Sequence, residues 1–188
     1  TYLEKWTGAG GRIGDASVMQ TIIGLDKGIY QLKVAAQNIQ QNSSATQTGA
    51  WIVANDSKVD VNKTADYTLT FTSIENETTI GFLADDATGN WLSVDTFRLY
   101  YIGGTDADYK TELQRYLDNA LALADKKMHT AAKQTLDAAI AAVQAELQKT
   151  STDGYSKVST PLREAADEAE KSIEAYAQLL AAIEKAKT

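Results

Sequence analysis

The sequence predicts an antiparallel β-sandwich of jelly-roll type over residues 1–103, followed by an α-helical bundle over residues 104–188. Eleven of the 12 glycines, all three tryptophans and all three phenylalanines lie at or before Gly104. Apolar and polar residues alternate along the first part, which is typical of half-buried strands. In the second part apolar residues recur about every 3.5 positions, which is typical of packed helices. The chain therefore divides near Gly103.

Seven short runs bounded by turn residues predict the strands of the first part. In one of them Tyr30, Leu32 and Val34 alternate with Gln31 and Lys33. Short strands at this spacing favour a sandwich or a jelly roll. The predicted strands cover residues 2–6, 18–23, 29–37, 50–54, 67–72, 78–84 and 91–102, and the intervening residues, including 55–63, are predicted to be connections.

The second part predicts a three-helix bundle, or at the least a helical hairpin. Thr105 is suited to cap the first helix, and Asp106 and Asp108 favour the positive end of its dipole. The first break is expected near residues 127–130 and the second at 151–154. The only proline, Pro161, is predicted to lie in the first turn of the third helix.

Composition excludes several classes of function. The chain has 188 residues, no Cys and a single His, so disulfides, thiol catalysis and a multi-histidine metal centre are excluded. Its formal net charge of -7 repels phosphate backbones, so no nucleic-acid partner is expected. No apolar run approaches the length of a membrane span, so no direct membrane insertion is expected.

Two tryptophans are candidates for ligand binding. Sugar rings stack their C–H faces on indoles, while carboxylates, amides and guanidinium groups bind the hydroxyls. Trp6 precedes a glycine-rich stretch that contains Arg12, and Trp91 follows Asp86 and Asn90. Trp6 ranks ahead of Trp91, and a core position is the alternative for each. Trp51 lies inside an apolar run and is expected to be the least exposed.

Asp95 is the candidate metal ligand. In a regular strand it shares a face with Phe97 and Leu99, and a carboxylate on an apolar face needs a partner. One interpretation is a structural calcium ion held by Asp95 together with Glu4. The other is a carboxylate that accepts backbone N–H groups or lies exposed at a bulge. No other cofactor is expected.

The sequence offers little support for catalysis. Asp85 and Asp86 are adjacent, so they do not define the separated carboxylate pair of a glycosidase. Neither a nucleophile elbow nor a phosphate-binding loop is present. His129 lies near a helix junction, where a helix-end or surface position is expected. We therefore expect a protein without catalytic activity.

The first part resembles the galactose-binding-like jelly rolls attached to extracellular glycan-degrading enzymes and surface glycan-binding proteins of gut bacteria. The segments that carry this resemblance are residues 19–22, 24–30, 49–55, 80–82 and the closing strand 89–101. The second part is similar to the helical spacer modules that follow such domains. Members of the group begin with a further strand that supplies calcium ligands in related folds, whereas residues 1–6 look like the next element.

The resemblance implies a non-catalytic carbohydrate-binding module of a larger protein, secreted or on the cell surface of a bacterium. Its partners would be a glycan and the neighbouring domains of the same polypeptide. The chain lacks an initiating Met, which leads us to expect a piece of a longer protein. Two alternatives remain open: a structural or adhesion spacer that binds no sugar, and an accessory fragment of a glycoside hydrolase.

Overall fold

The computed structural model describes residues 2–187 and divides the chain between Gly103 and Gly104 into two compact units. We call them the front unit and the helical unit. The front unit contains β1 (Leu3–Trp6), β2 (Gly14–Ile23), β3 (Gly28–Ile39), β4 (Ala50–Ala54), β5 (Ser57–Asp60), β6 (Ala65–Ser73), β7 (Glu77–Ala87) and β8 (Trp91–Gly103). The helical unit contains α1 (Asp106–Ala124), α2 (Thr130–Leu147) and α3 (Tyr155–Lys187). This architecture confirms the predicted fold class.

The front unit is a sandwich of two four-stranded antiparallel sheets. The first sheet has the order β1-β8-β3-β6 and the second has the order β2-β7-β4-β5. Alternate residues of each sheet face the other sheet and form the core, in which Leu32, Ile52 and Leu92 are fully buried. The opposite side of the first sheet faces solvent, and we call it the outer face.

The alternation of β3 determines which residues reach the outer face. Leu32 and Val34 are buried in the core. Lys33, Ala35 and Gln37 lie between the buried positions and are exposed or half-buried. Because successive side chains of a strand point to opposite sides of the sheet, these three residues lie in line along the outer face.

A β-bulge in β8 changes which residues face the core. Ala35 of β3 pairs with Asp95, but Lys33 pairs with Arg98, so β8 contains one extra residue here. The left-handed φ of 59° at Thr96 marks the bulge. The prediction that Asp95 shares the apolar face of Phe97 is therefore wrong: Asp95 points to solvent, while Phe97 packs against the core.

The structure also adds a strand that the sequence did not predict. Residues 57–60 form β5, which pairs with β4 in a hairpin closed by Ala54 and Ser57. Asn55 adopts a left-handed φ of 50° in the two-residue turn, a conformation that asparagine tolerates. The strand is short, polar and at a sheet edge, so it carries no apolar alternation that would predict it.

The helical unit begins and turns at the expected places. Thr105 caps α1 in a capping box with Asp108. His129 caps α2, its Nδ1 accepting the Ala131 N–H at 3.2 Å, so it lies at a helix end as expected. Within residues 2–187, no helix combines the length and the apolar character needed to cross a membrane.

The predicted start of the third helix is wrong. Helix α3 begins at Tyr155, and Pro161 lies inside it. Proline at this position removes one intrahelical hydrogen bond. Tyr155 and Leu162 are nearly completely buried on either side of it. The burial of the helical turn before Pro161 therefore outweighs the preference of proline for the first turn of a helix.

Candidate functional site

Two tryptophans lie opposite each other at the edge of the first sheet. Strand β1 pairs with β8 so that Trp6 faces Trp91 and Glu4 faces Ser93. Directly opposed residues of an antiparallel pair project to the same side of a sheet. Strand β1 therefore adds Glu4 and Trp6 to the outer face beside Trp91.

The two indoles differ in how they are held. Trp6 is 66% exposed, whereas Trp91 is half-buried. The Trp91 Nε1–H donates a hydrogen bond to Glu4 Oε2 at 2.9 Å. This bond fixes the orientation of the Trp91 ring, while Trp6 has the more accessible ring.

A groove with a volume of about 520 Å³ runs over the outer face next to Trp91. It crosses β8 and β3 and reaches the start of β6. Aromatic side chains from Tyr2 and Trp91 contribute to its walls, and the rest of the lining combines polar side chains with small apolar ones. Its lining residues are Tyr2, Ala35, Ala36, Gln37, Thr64, Ala65, Asp66, Trp91, Ser93, Val94 and Asp95.

Two carboxylates bracket the floor of the groove. Ala35 pairs with Asp95 on one side and with Asp66 on the other. Neighbouring strands lie about 4.8 Å apart, so the Cα atoms of the two aspartates are about 10 Å apart across the small alanine. Both aspartates are exposed. We call Asp66 and Asp95 the acidic row. Their carboxylates offer hydrogen-bond acceptors on both sides of the open space above Ala35.

The next residues along the strands offer a different set of polar groups. Gln37 pairs with Ser93 across β3 and β8. Thr64 Oγ1 donates a hydrogen bond to Gln37 Oε1 at 3.0 Å and thereby orients the amide. The Gln37 amide nitrogen has no partner among residues 2–187, so it can donate to a ligand. The groove therefore offers acceptors, a donor and an aromatic wall.

Arg12 and Asp86 form an ion pair with each other, and neither residue lines the groove. Arg12 Nη2 lies 2.8 Å from Asp86 Oδ1 and also donates to the Asp86 carbonyl oxygen at 3.0 Å. The Asp86 N–H donates to Asp15 Oδ1 at 3.0 Å. Both partners are largely exposed. The pair braces the loop that precedes β2 against the end of β7.

The structure corrects the prediction for Asn90, which is completely buried. Its Oδ1 accepts the Gln41 N–H at 2.8 Å, and its Nδ2 donates to the Thr7 carbonyl oxygen at 3.0 Å. The side chain therefore joins two loops inside the front unit. A surface ligand does not reach it.

Glu4 and Asp95 do not fit a calcium site. Asp95 Oδ1 accepts the N–H of Thr96 at 2.7 Å, within the bulge itself. Glu4 accepts the Trp91 indole, as described above. Among residues 2–187, no three His, Cys, Asp or Glu side chains lie together so that they could hold a metal ion. The donor set is thus too small, and Asp95 belongs to the groove instead.

Trp51 is less exposed than Trp6. It is half-buried on the second sheet, as Trp91 is on the first. The Lys58 Nζ lies 4.7 Å from the centroid of its ring. A side chain of the same chain therefore covers this indole, which makes Trp51 a matched control for Trp91.

A second cavity, of about 340 Å³, lies between the edge strands β1 and β2. Its apolar lining includes Leu3, Val18 and Phe82. It lacks the paired carboxylates and the tryptophan of the groove. The groove is therefore the better candidate for a polar ligand.

Sequence reasoning missed Tyr2, Gln37 and Asp66 as groove residues. Alternation in β3 and β6 indicates that positions 37 and 66 point to solvent. It does not indicate that β3 lies between β8 and β6, and this order brings Asp66 into the same row as Asp95. The pairing of the strands was the missing information.

Comparisons with known proteins give weak likenesses. No protein-family model and no curated protein matches the chain. A family 35 carbohydrate-binding module from an environmental isolate is 15% identical over 50% of this chain and 80% of that one, with a TM-score of 0.35. A β-glucosidase from Paenibacillus barengoltzii is 13% identical over 50% of this chain and 10% of that one, with a TM-score of 0.23.

A third solved structure is CBM51-2 in complex with GlcNAc and INT domains from Clostridium perfringens ZmpB. It is 12% identical over 84% of this chain and 34% of that chain, with a TM-score of 0.23. Carbohydrate-binding modules thus occur among the structural neighbours of this β-sandwich. At these values the likenesses carry no argument about function, which rests on the groove.

Proposed function

We propose that the front unit is a non-catalytic glycan-binding module and that the groove on its outer face binds the sugar. The observation that carries this proposal is the combination of an indole held in place by Glu4 with the acidic row around Ala35. A sugar ring needs an apolar surface for its C–H face and acceptors for its hydroxyls. The groove supplies both on one side of a sheet.

In this interpretation one sugar unit packs against Trp91 and a following unit of the same glycan lies over Ala35, which is four residues further along the sheet. Hydroxyl groups at its edges donate to the carboxylates of Asp95 and Asp66, and Gln37 donates to a ring or hydroxyl oxygen. The site is shallow and open, and few groups contact the sugar. The expected dissociation constant is about 10 µM to 1 mM, so neighbouring modules would raise the avidity.

The exposure of the two aspartates favours binding over hydrolysis. Their Cα atoms are about 10 Å apart, a spacing that an inverting glycosidase pair also allows. A hydrolytic site, however, encloses the reacting groups and expels bulk water. Asp66 and Asp95 both lie in solvent on an open sheet face. A larger bacterial surface or secreted protein, in which this module serves other domains, is the setting that fits this role.

Affinity electrophoresis against immobilised plant, mucin and host glycans, followed by calorimetry on the glycans that retard the protein, tests the proposal. We expect Trp91→Ala and the double variant Asp66→Asn/Asp95→Asn to abolish retardation. Trp51→Ala, a half-buried indole on the other sheet, is expected to leave it unchanged. Absence of binding to every glycan would contradict the proposal and favour a spacer. Release of reducing sugar would favour hydrolysis.

A further inference from the structure

The outer face continues beyond the groove into a basic patch. Two residues along β3 from Ala35, Lys33 pairs with Arg98 of β8. Two residues further along β8, Tyr100 lies on the same side of the sheet and is 44% exposed. We call Lys33, Arg98 and Tyr100 the basic row. It lies roughly 7 Å along the strand from the acidic row, a distance comparable with one sugar unit.

The bulge in β8 is what aligns the two rows. Asp95 and Arg98 are three residues apart, so in a regular strand they would point to opposite sides of the sheet. The extra residue of the bulge at Thr96 places the side chains of Asp95 and Arg98 on the same side of the sheet, the outer face. The outer face therefore carries aromatic, acidic and basic positions in a continuous line along β8.

The two cations of the basic row are available to a ligand. Lys33 and Arg98 are both exposed, and neither forms an ion pair with another residue in 2–187. The Lys33 Nζ lies 5.6 Å from the centroid of the Tyr100 ring. Like charges directly opposite each other on neighbouring strands are destabilising. An anion between them would relieve this repulsion.

We propose that the basic row is a second subsite, which binds an anionic sugar unit of the same glycan. Arg98 and Lys33 bind its carboxylate or sulfate group. This inference rests on the proposed function of the groove. It adds the class of glycan: a linear chain in which a neutral or amino sugar over the acidic row is followed by an anionic unit.

The acidic row excludes a chain that is anionic at every position. A uniform polyuronate would place a carboxylate against Asp66 and Asp95, where like charges repel. A chain in which neutral and anionic units alternate avoids this contact. It places a neutral unit at the acidic row and an anionic unit at the basic row. The face therefore selects for the order of charges along the glycan as well as for its composition.

Calorimetric titration of the complete 188-residue chain with three hexasaccharides tests the subsite. A hyaluronan hexasaccharide carries carboxylates on alternate units, a neocarrageenan hexasaccharide carries sulfates, and chitohexaose carries neither. We expect one of the anionic probes to bind about two- to fivefold more tightly than chitohexaose. Comparison of the two anionic probes identifies the group that is recognised. The preference should disappear as the ionic strength is raised.

The double variant Lys33→Gln/Arg98→Gln should lose this preference and keep the affinity for chitohexaose. Lys58→Gln, which removes the equivalent lysine over Trp51, is the matched control and should change neither. Equal binding of all three probes, or a preference that survives the double variant, would overturn the subsite and leave the groove standing. Failure of both anionic probes to bind would overturn the subsite, whereas the proposed function of the groove is overturned only if no glycan retards the protein in affinity electrophoresis. Should the double variant fold poorly, the salt dependence of the unaltered chain decides the question.

Discussion

At the scale of single residues, Glu4 acts on the site through Trp91. Its carboxylate oxygen accepts the indole N–H and so limits the rotation of the ring. A ring that is already oriented loses less entropy when a sugar packs against it. In the proposed site Glu4 is thus a positioning residue, and Trp91 supplies the contact surface.

We expect Trp91→Ala to weaken glycan binding at least about tenfold. Glu4→Ala should cause a smaller loss, about two- to fivefold, because the indole remains but is no longer fixed. Calorimetry on a glycan that the unaltered protein binds measures both effects. Trp51→Ala controls for general effects of removing a half-buried indole. Unchanged affinity in Trp91→Ala would exclude this ring from the site.

Asp108 gives the helical unit a dependence on acid pH. Hydrogen bonds from the Thr105 side chain and backbone lower the pKa of Asp108 below its ordinary value of 3.8. A carboxyl group whose pKa is lower in the folded state stabilises the fold above the pKa of the unfolded chain. This stabilisation is lost as the pH falls through the folded pKa.

We therefore expect the helical unit to lose stability as the pH falls below about 4, with the capping box as one cause. Asp108→Asn should flatten the part of this dependence that the cap contributes. Thermal unfolding followed by circular dichroism at 222 nm across acid pH measures the difference. Identical pH profiles for the two proteins would show that the capping box does not contribute.

At the scale of elements, the bulge of β8 holds a β-branched residue in an unfavourable backbone conformation. Thr96 has a left-handed φ of 59°, and such conformations are costly for residues other than glycine, asparagine and aspartate. The bulge is kept because it turns Phe97 and Leu99 toward the core while Asp95 and Arg98 stay on the outer face.

Thr96→Asn should stabilise the front unit by about 0.5–1 kcal/mol, since asparagine tolerates the left-handed region. The groove should be unaffected, because the backbone conformation is the same. Chemical denaturation monitored by tryptophan fluorescence reports on this unit, which contains all three tryptophans. A decrease in stability would indicate that contacts of the threonine side chain outweigh its backbone strain.

In the helical unit, α2 depends on a narrow apolar seam. Leu136 is completely buried, as are Leu113 of α1 and Val143 of α2. Leu136→Ala removes atoms from this packed core and leaves a cavity. We expect a loss of about 2–5 kcal/mol in the free energy of unfolding. Denaturation followed at 222 nm measures it, and a loss below about 1 kcal/mol would contradict the packing of the seam.

At the scale of the whole molecule, the outer face differs from the average surface of the chain. The formal net charge is -7, yet Lys33 and Arg98 lie side by side without ion-pair partners among residues 2–187. The acidic and basic rows are only two residues apart along β3. In the proposed function this local arrangement, more than the net charge, determines which glycans the face accepts.

Sequence patterns predicted the fold class well because alternation and heptad-like spacing follow directly from burial. Strand β3 and the capping box at Thr105 are clear examples. The site was predicted less completely. Trp91 was a candidate because of its aromatic chemistry, whereas Asp66 joins it in the groove only through the order of the strands. Asn90 was predicted to bind a ligand at the surface, but its side chain is buried between two loops.

At two further places the structure differs from the prediction because tertiary packing overrides the local sequence signal. The bulge at Thr96 is an irregularity of one residue, and no pattern of period two reveals it. Pro161 is a strong local signal for a helix start, but burial of Tyr155 and Ser159 extends the helix past it. In both places tertiary packing decides between local alternatives.

The most direct test is a two-dimensional ¹H–¹⁵N correlation titration of the labelled chain with a glycan that retards it in affinity electrophoresis. The three indole N–H signals report separately on Trp6, Trp51 and Trp91. We predict that the largest shifts occur at the Trp91 indole and at the backbone amides of Ala35, Gln37, Asp66 and Asp95. Shifts confined to the Arg12 and Asp86 region, or to Trp51, would contradict a binding groove on the outer face.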